Sequence, residues 1–169
     1  AWSGETGTLS DGSHLRYPND AHLLADGTLL ITDRNNDRAV MATREGRVVW
    51  QYARGLHHPH NCDPLPNGNV LVCDSDGRMI LEVNRSGSAV WSYGDGRPET
   101  LNWPRNADRL PNGNTLITDS KNSRVLEVTP AGSVSWRFAL EHFANLYEAD
   151  RLPDGNTLIS DQQHKQVLE

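Results

Sequence analysis

The segment Asn106 to Asp119, with the sequence NADRLPNGNTLITD, decides the fold because it recurs along the whole chain. Glu148 to Asp161 (EADRLPDGNTLISD) is a near copy, and more diverged copies run from Asn61 to Asp74 (NCDPLPNGNVLVCD) and from Asp20 to Asp33 (DAHLLADGTLLITD). Repeats of about 40 to 50 residues made of short strands are typical of propeller blades. The chain fits this pattern, since intervals of 41, 45 and 42 residues separate the equivalent positions His22, Asp63, Asp108 and Asp150.

Each repeat carries the turn residues of two hairpins. The first hairpin has apolar runs on both sides of an Asn-Gly or Asp-Gly dipeptide, such as Asn67-Gly68, which accepts the positive φ angles of a two-residue turn. This role explains the glycines better than a phosphate-binding loop does. A second hairpin follows, with its turn at Gly46, Gly87 or Gly132. The pattern predicts four strands per repeat and little helix.

The two ends of the chain complement each other. The fourth repeat stops at Glu169 without its outermost strand, whereas Ala1-Trp2 aligns with Ser135-Trp136 in the outermost strand of the third repeat. A propeller removes exposed strand edges by closing its ring in this way. We therefore expect an all-β propeller of four four-stranded blades per chain, the last blade being closed by the N-terminal strand. Residues 1–169 would form one domain, with units at about 18–58, 59–103, 104–145, and 146–169 plus 1–3.

Composition excludes several classes of partner. The chain has 169 residues with 22 acidic and 16 basic side chains, a net charge of −6, and 36% hydrophobic residues, enough for a core. Because like charges repel, we expect neither a nucleic-acid nor a membrane partner. No apolar stretch approaches the roughly 20 residues of a membrane helix. A start at Ala1 fits a processed or trimmed chain, and we expect an extracellular or periplasmic location.

Repeat-equivalent residues at the start of each innermost strand are expected to form two rings around the axis. The first ring comprises Asp20, Asn61, Asn106 and Glu148, and the second comprises His22, Asp63, Asp108 and Asp150. Positions two apart point to the same side of a strand. Converging oxygens could hold Ca²⁺, with Asp63, Asp108 and Asp150 as candidate metal ligands. The alternative, which repetition favours, is that each carboxylate accepts backbone N–H bonds from a neighbouring blade.

Other repeated residues are expected to support the architecture. The aspartates that end the second strands are expected to cap loops and to pair with basic residues: Asp33, Asp74, Asp119 and Asp161, with Arg38, Arg78 and Arg124. The tryptophans expected to pack between blades are Trp2, Trp50, Trp91 and Trp136. Trp103 lies outside the repeat pattern and is a candidate exposed recognition residue.

The two cysteines lie on the two strands of one predicted hairpin. With a two-residue turn at Asn67-Gly68, Cys62 would lie directly opposite Cys73. Such a hydrogen-bonded pair has its Cα atoms about 5.5 Å apart. We expect two neighbouring thiols more often than a disulfide, whose presence would support an exported protein.

The repeats resemble those of known propeller families. The segments Gly46 to Trp50 and Gly132 to Trp136 look like the tryptophan-docking repeats of quinoprotein-type, or PQQ-like, propellers. Asp119 to Val125 resembles the Asp-Ser-x-Asn-x-Arg-Val stretch of NHL repeats, and the combination of motifs is most similar to arylsulfotransferase-like propeller proteins. The resemblance covers the chain nearly end to end and is specific for the architecture. These repeats occur both in enzymes, which usually have more than four blades, and in interaction scaffolds.

Residues that break the repeat symmetry are the best candidates for chemistry. His60 precedes the first ring residue of the second repeat, and Arg105 occupies the equivalent position in the third. The resemblance to arylsulfotransferase-like enzymes implies catalytic roles for such residues at the channel mouth. An imidazole can act as a nucleophile or base, and an arginine can bind an oxyanion.

Two functions remain open at this point. We expect a non-enzymatic module for binding or assembly, with a protein partner or self-association through the terminal strands and with no certain cofactor. The alternative is the blade set of an arylsulfotransferase-like or quinoprotein-like enzyme. An enzyme predicts a pocket at the mouth lined by His60 and Arg105, whereas a scaffold predicts a channel filled by mutually satisfied side chains.

Overall fold

The computed structural model describes residues 7–94 and 100–169. Its strands form four antiparallel sheets, and within each sheet the strands follow one another in chain order. Hairpin connections produce this order because a short turn can only join neighbouring antiparallel strands. Among the described residues, the helices are two short 3-10 segments, Arg34–Asn36 and Ser120–Asn122, and none is long and apolar enough to cross a membrane. The predicted all-β propeller of four blades is confirmed.

Blades 1 and 2 each contain four strands. Those of blade 1 are β1 (Pro18–Leu23), β2 (Leu29–Asp33), β3 (Arg38–Ala42) and β4 (Val48–Tyr52). Those of blade 2 are β5 (Pro59–Pro64), β6 (Val70–Asp74), β7 (Met79–Val83) and β8 (Ala89–Tyr93).

Blade 3 also contains four strands, whereas three strands are described for blade 4. Those of blade 3 are β9 (Pro104–Arg109), β10 (Thr115–Asp119), β11 (Arg124–Val128) and β12 (Val134–Ala139). Those of blade 4 are β13 (Leu146–Arg151), β14 (Thr157–Asp161) and β15 (Gln166–Leu168). The N-terminal strand predicted to complete blade 4 lies outside the described residues.

Consecutive blades pack face to face through apolar side chains. Strand β2 packs on β5, β6 on β9, and β10 on β13. Each interface holds one buried cluster, represented by Leu30 with Val72, Leu71 with Ile117, and Leu116 with Ile159. Trp50, Trp91 and Trp136 pack against these three clusters in turn, which confirms their predicted position between blades. The prediction for Trp2 lies outside the described residues.

The hairpin turns have three residues, not the two predicted. In blade 2, the Leu65 N–H donates to the Asn69 carbonyl and the Gly68 N–H donates to the Leu65 carbonyl, both at 2.9 Å. Gly68 has a φ of 84°, as the prediction of a positive φ required. The Asn67 Oδ1 accepts from the Asn69 N–H at 3.0 Å, which stabilises the turn locally. The bonded pair Leu65 and Asn69 sets a register one residue away from the predicted one.

This shift separates the two cysteines and corrects their predicted pairing. Cys62 lies opposite Val72, and Cys73 lies opposite Asn61. Because a shift of one residue moves a side chain to the other face, Cys62 joins the cluster between blades 1 and 2, whereas Cys73 joins the cluster between blades 2 and 3. Both are buried free thiols, so neither neighbouring thiols nor a bridge is present.

The predicted pairing of the aspartates that end the second strands is confirmed for Asp33 and Asp119, whereas no ion pair joins Arg78 to Asp74 among the described residues. The Nε of Arg38 donates to Asp33 Oδ2 at 2.8 Å, and the Nε of Arg124 donates to Asp119 Oδ2 at 2.6 Å. In blade 4, Gln166 replaces the arginine and its Nε2 donates to Asp161 Oδ2 at 3.1 Å. The other carboxylate oxygen, Oδ1, accepts a hydrogen bond from a backbone N–H in the segment that precedes the blade. Asp33 accepts from Arg16, Asp74 from His57, and Asp119 from Asn102.

Candidate functional site

A β-bulge at the start of each innermost strand builds the mouth of the axis. In blade 2 the pairing passes from Pro59 opposite Asp74 to Asn61 opposite Cys73, so His60 is the extra residue. Because the bulge interrupts the normal alternation, His60 and the following Asn61 line the same cavity. The same irregularity occurs in the other blades, where the extra residues are Asn19, Arg105 and Tyr147.

The bulges enclose a cavity of about 130 Å³ at the mouth. Its eight lining residues come in pairs from the four innermost strands, so it lies on the common axis. They are Asn19 and Asp20, His60 and Asn61, Arg105 and Asn106, and Tyr147 and Glu148. All four members of the predicted first ring are therefore together, and the predicted pair His60 and Arg105 lies beside them.

Arg105 is a buried cation held between two aromatic rings. Its side-chain carbon Cζ lies 4.5 Å from the centre of the Trp103 ring and 4.3 Å from that of Tyr147, and the residue is 8% exposed. Nε has no hydrogen-bond partner, and Nη1 lies 3.5 Å from the Gln162 Oε1. Within residues 7–94 and 100–169 no carboxylate lies within ion-pair distance of it. Burial lowers the pKa of Arg105, but a guanidinium remains charged at neutral pH.

His60 is neutral at physiological pH. Burial, reinforced by the nearby charge of Arg105, lowers the pKa of the imidazole to about 4. The ring meets Tyr147 and Trp103 edge-on, with centroid distances of 5.6 Å and 6.2 Å. A neutral imidazole has a free lone pair, so it can accept a proton or a hydrogen bond from a molecule in the cavity.

The second predicted ring lies one pair of residues further along the strands. His22 Nε2 is 2.8 Å from Asp20 Oδ2 and 3.0 Å from Asp63 Oδ1. Asn106 Nδ2 donates to Asp108 Oδ2 at 3.0 Å. Among the described residues, the hydrogen-bond partners of Asp20, Asp63 and Asp108 are side chains of the rings. The alternative prediction from the sequence required backbone N–H donors from a neighbouring blade.

Crowding of carboxyl groups changes their ionisation. Burial raises the pKa of Asp63 to about 6, with His22 opposing the shift. Burial raises the pKa of Asp108 to about 7, and the charges of Asp63 and Asp150 add to the effect. Burial and the neighbouring Asp150 also raise the pKa of Glu148. Burial is the main cause of all three shifts, and repulsion between neighbouring carboxylates adds to it.

The ligand atoms that converge are not those of the predicted set. Asp20, His22 and Asp63 offer atoms that all lie within 4.8 Å of one another. Asp63, Asp108 and Asp150 form no such group among the described residues. The Asp150 side chain is exposed, whereas those of Asp63 and Asp108 are half-buried.

Sequence reasoning missed Tyr147 and mistook the role of Trp103. Tyr147 occupies the bulge position equivalent to His60 and Arg105, so comparing that one column across the repeats would have identified it. Trp103 is half-buried, contacts Arg105 and donates from Nε1 to Asp76 Oδ1 at 2.8 Å. It packs on Arg105, which lines the cavity, and is half-buried where an exposed recognition residue was expected.

The four sheets and the cavity on their common axis define a β-propeller. Residues 3–160 match the sequence profile of the PQQ-like family described as outer membrane protein assembly factor BamB, and the chain belongs to this family. No curated protein sequence matches the chain significantly.

Solved propellers share the fold at low sequence identity. A protein of unknown function from Bacteroides caccae is 23% identical with a TM-score of 0.63, the match covering 90% of this chain and 59% of that one. Virginiamycin B lyase from Staphylococcus aureus is 14% identical with a TM-score of 0.66, covering 88% and 53%. The WD40 propeller domain of Doa1 is 15% identical with a TM-score of 0.74, covering 92% and 51%. The chain thus spans little more than half the length of these structures.

Proposed function

We propose that the chain is a non-enzymatic propeller module that assembles through the outward face of blade 4, and that the partner is blade 1 of a second copy. We further propose a periplasmic location. The match to the family of the outer membrane protein assembly factor BamB supports the proposed location at the level of the family. The observation that carries the proposal is the exposure of apolar positions on blade 4.

Blade 4 exposes positions that are buried in the preceding blades. Leu158 is 37% exposed and Val167 is 65% exposed. Their equivalents in blade 3, Leu116 and Val125, are 1% and 0% exposed because blade 4 packs on them. Apolar area of this kind favours association, at about 25 cal/mol per Å² removed from water.

Blade 1, at the other end of the row of four blades, also exposes an apolar side chain. Leu23, on blade 1, is 59% exposed. Leu23 is the last residue of the innermost strand of blade 1. The equivalent residues of blades 3 and 4 are Arg109 and Arg151, and each of these forms an ion pair with the preceding blade. Head-to-tail contact would therefore bring Leu23 towards the face of Leu158 and Val167. Two copies would supply eight blades, in keeping with the half-length match to the solved propellers.

The test is the solution mass measured by light scattering over a range of protein concentrations. We expect a dimer that dissociates on dilution and a V167K variant that stays monomeric near 18.8 kDa. V90K is the matched control, since Val90 is 54% exposed on the outer strand of blade 2. A monomer at every concentration, or equal behaviour of the two variants, would overturn the proposed assembly. A dimer that persists in both V167K and V90K would show that the two copies contact each other through another surface, and would also overturn the proposal.

The mouth cavity is lined by His60 and Arg105, as the enzyme hypothesis predicts, and it favours a second candidate function, the binding or transfer of a small oxyanion. Arg105 supplies a buried positive charge with unused donors, and His60 supplies a neutral imidazole. A sulfuryl group transferred from an aryl sulfate would bond to the His60 nitrogen as its S–O bond breaks and the phenolate leaves. An acceptor hydroxyl would then take the group and release its proton to water.

Turnover of a chromogenic aryl sulfate with a phenol acceptor separates this candidate from the assembly module. Activity that disappears in H60A and falls at least 100-fold in R105M would establish an enzyme. H58A is the matched control because His58 lies two residues away and pairs with Asp76. Absence of turnover by the assembled chain, with inorganic sulfate still protecting it against thermal unfolding, would assign the cavity to binding.

A further inference from the structure

We propose that Asp20, His22 and Asp63 form a binding site for a divalent transition metal ion, of which Zn²⁺ is the best example, and that the ion links blade 1 to blade 2. This inference is independent of the proposed assembly. It also differs from the calcium site expected from the sequence, both in its ligands and in the class of metal.

The backbone brings the three ligands together without distortion. Asp20 and His22 are two residues apart on β1 and therefore point to the same side. Asp63 occupies on β5 the position equivalent to His22, and β1 and β5 are neighbouring inner strands. The side chains are 30%, 34% and 20% exposed respectively, so an ion in the channel can reach them.

The spacing of the ligand atoms suits a metal. His22 Nε2 lies 2.8 Å from Asp20 Oδ2 and 3.0 Å from Asp63 Oδ1. Zinc lies roughly 2.1 Å from its ligand atoms in a tetrahedral arrangement, which places those atoms about 3.4 Å apart. The ligand atoms of His22 and the two aspartates would therefore have to separate by only a few tenths of an ångström to bind it. The Nε2 atom of a neutral imidazole can carry one hydrogen, so it cannot fully satisfy two carboxylates by itself.

Further oxygen atoms at this site have no partner. Asp63 Oδ2 and Asn61 Oδ1 are both buried and make no hydrogen bond. Unpartnered buried oxygens are costly, and a bound cation would remove that cost. Their presence beside the converging ligands is evidence separate from the cluster itself.

The ligand types select the class of metal. An imidazole nitrogen with two carboxylates suits zinc and related transition metals, whereas calcium prefers oxygen ligands alone. Histidine occurs at this ring position in blade 1 only, since the other blades carry Asp63, Asp108 and Asp150. The site therefore breaks the repeat symmetry, as a binding site does and a purely structural contact does not.

Calorimetric titration of the chelator-treated chain with ZnCl₂, and separately with CaCl₂, tests the proposal. We expect one Zn²⁺ per chain, bound at least tenfold more tightly than Ca²⁺, and a loss of at least tenfold in H22Q. H58Q is the matched control, because His58 pairs with a single carboxylate, that of Asp76, at 2.7 Å. No stoichiometric binding, tighter binding of Ca²⁺, or equal affinities of H22Q and the unaltered chain would overturn the site.

A second measurement does not depend on the folding of a variant. Co²⁺ added to the unaltered chain should shift and broaden the NMR signals of the His22 ring at one equivalent, leaving those of His58 unchanged. Shifts at His58 with none at His22 would place the metal elsewhere and contradict the proposal.

Discussion

One inserted residue per blade determines which side chains meet at the mouth of the axis. Without the bulge, His60 and Asn61 would point to opposite faces of β5, and only one of them could line the cavity. With it, Arg105 and Tyr147 reach the same space from different blades and stack on each other. The chemistry of the mouth therefore depends on a local irregularity that contributes little to the packing of the blades.

Asp108 should make the stability of the protein fall as the pH rises. Its pKa is about 7 in the folded chain against an ordinary 3.8, chiefly because the group is buried. The folded state therefore keeps a proton that the unfolded state loses between pH 4 and pH 7, so unfolding becomes easier across this range. D108N should remove the part of this loss that Asp108 causes, leaving the smaller parts caused by Asp63 and Glu148, whose pKa values are also raised. The free energy of unfolding of D108N should therefore exceed that of the unaltered chain by about 2 kcal/mol at pH 8, with little difference at pH 4.

Urea unfolding in a chelating buffer at pH 4 and pH 8 measures this difference. E141Q, at an exposed glutamate, is the control and should leave the pH dependence unchanged. A D108N variant that is no more stable than the unaltered chain at pH 8 would contradict the assignment.

At the scale of elements, adjacent blades are joined by a repeated ion pair. Arg109 on β9 donates to Glu82 on β7 at 2.9 Å, and Arg151 on β13 donates to Glu127 on β11 at 2.9 Å. Each arginine also stacks on a tryptophan, with Cζ 5.1 Å from the Trp91 ring and 4.7 Å from the Trp136 ring. The pair fixes one blade relative to the next, beyond what apolar burial alone specifies.

Removing Glu127 should destabilise the chain more than removing its repeat equivalent in blade 4. Glu127 is 8% exposed and accepts from Asn112, Asn114 and Arg151. E127A removes these three hydrogen bonds, one of them to a half-buried arginine, and should lower the free energy of unfolding by about 2 kcal/mol. Glu169 accepts from Asn156 and has no recorded arginine partner among the described residues, so E169A should cost less than about 1 kcal/mol. Chemical unfolding at pH 7 compares the two, and equal losses would refute the role given to the ion pair.

Two glycines with positive φ should respond differently to alanine. Gly68 has φ 84° and open space around an added Cβ, so G68A should cost about 1 kcal/mol through backbone strain alone. Gly94 has φ 115°, and a Cβ there would collide with the Arg78 carbonyl oxygen and press on Leu101. G94A should therefore cost clearly more, about 3 kcal/mol, in thermal unfolding. A smaller loss of stability for G94A than for G68A would show that the backbone around Gly94 can move away from Arg78, and would contradict the prediction.

At the scale of the whole molecule, three interfaces join the four blades, and the outward face of blade 4 is exposed. Each preceding blade has an apolar cluster on its outward face, whereas Leu158 and Val167 on blade 4 are exposed. Strand β15 is an edge of its sheet within the described residues. Exposed edges and faces are places where propellers usually make further contacts.

Blade 4 should therefore unfold locally more often than blade 3 when the protein concentration is low. Hydrogen exchange at Val167 and Leu168 should be at least tenfold faster than at Val125 and Leu126, their equivalents on β11. Raising the protein concentration should slow exchange at the first pair and leave the second pair unchanged, because assembly covers blade 4. Equal protection of the two pairs at low concentration would contradict the open face.

Much of the architecture could be predicted from short-range signals. The repeated Asn-Gly and Asp-Gly turns, the alternating strands and the paired Asp33 and Arg38 are local features, so their pattern is visible along the chain. The exact register was not predictable, because two- and three-residue turns use the same dipeptide and differ only in which backbone groups bond. That one-residue difference misplaced Cys62 relative to Cys73.

The sequence by itself determined an all-β propeller of four repeated blades and the identity of the residues around its axis, because repetition and turn chemistry are written in the order of the residues. Only the tertiary structure decided which of those residues meet. It placed Arg105 between Trp103 and Tyr147 and brought His22 between two carboxylates. These contacts depend on bulges and on the rotation of one blade against the next, which arise from packing between segments far apart in the chain.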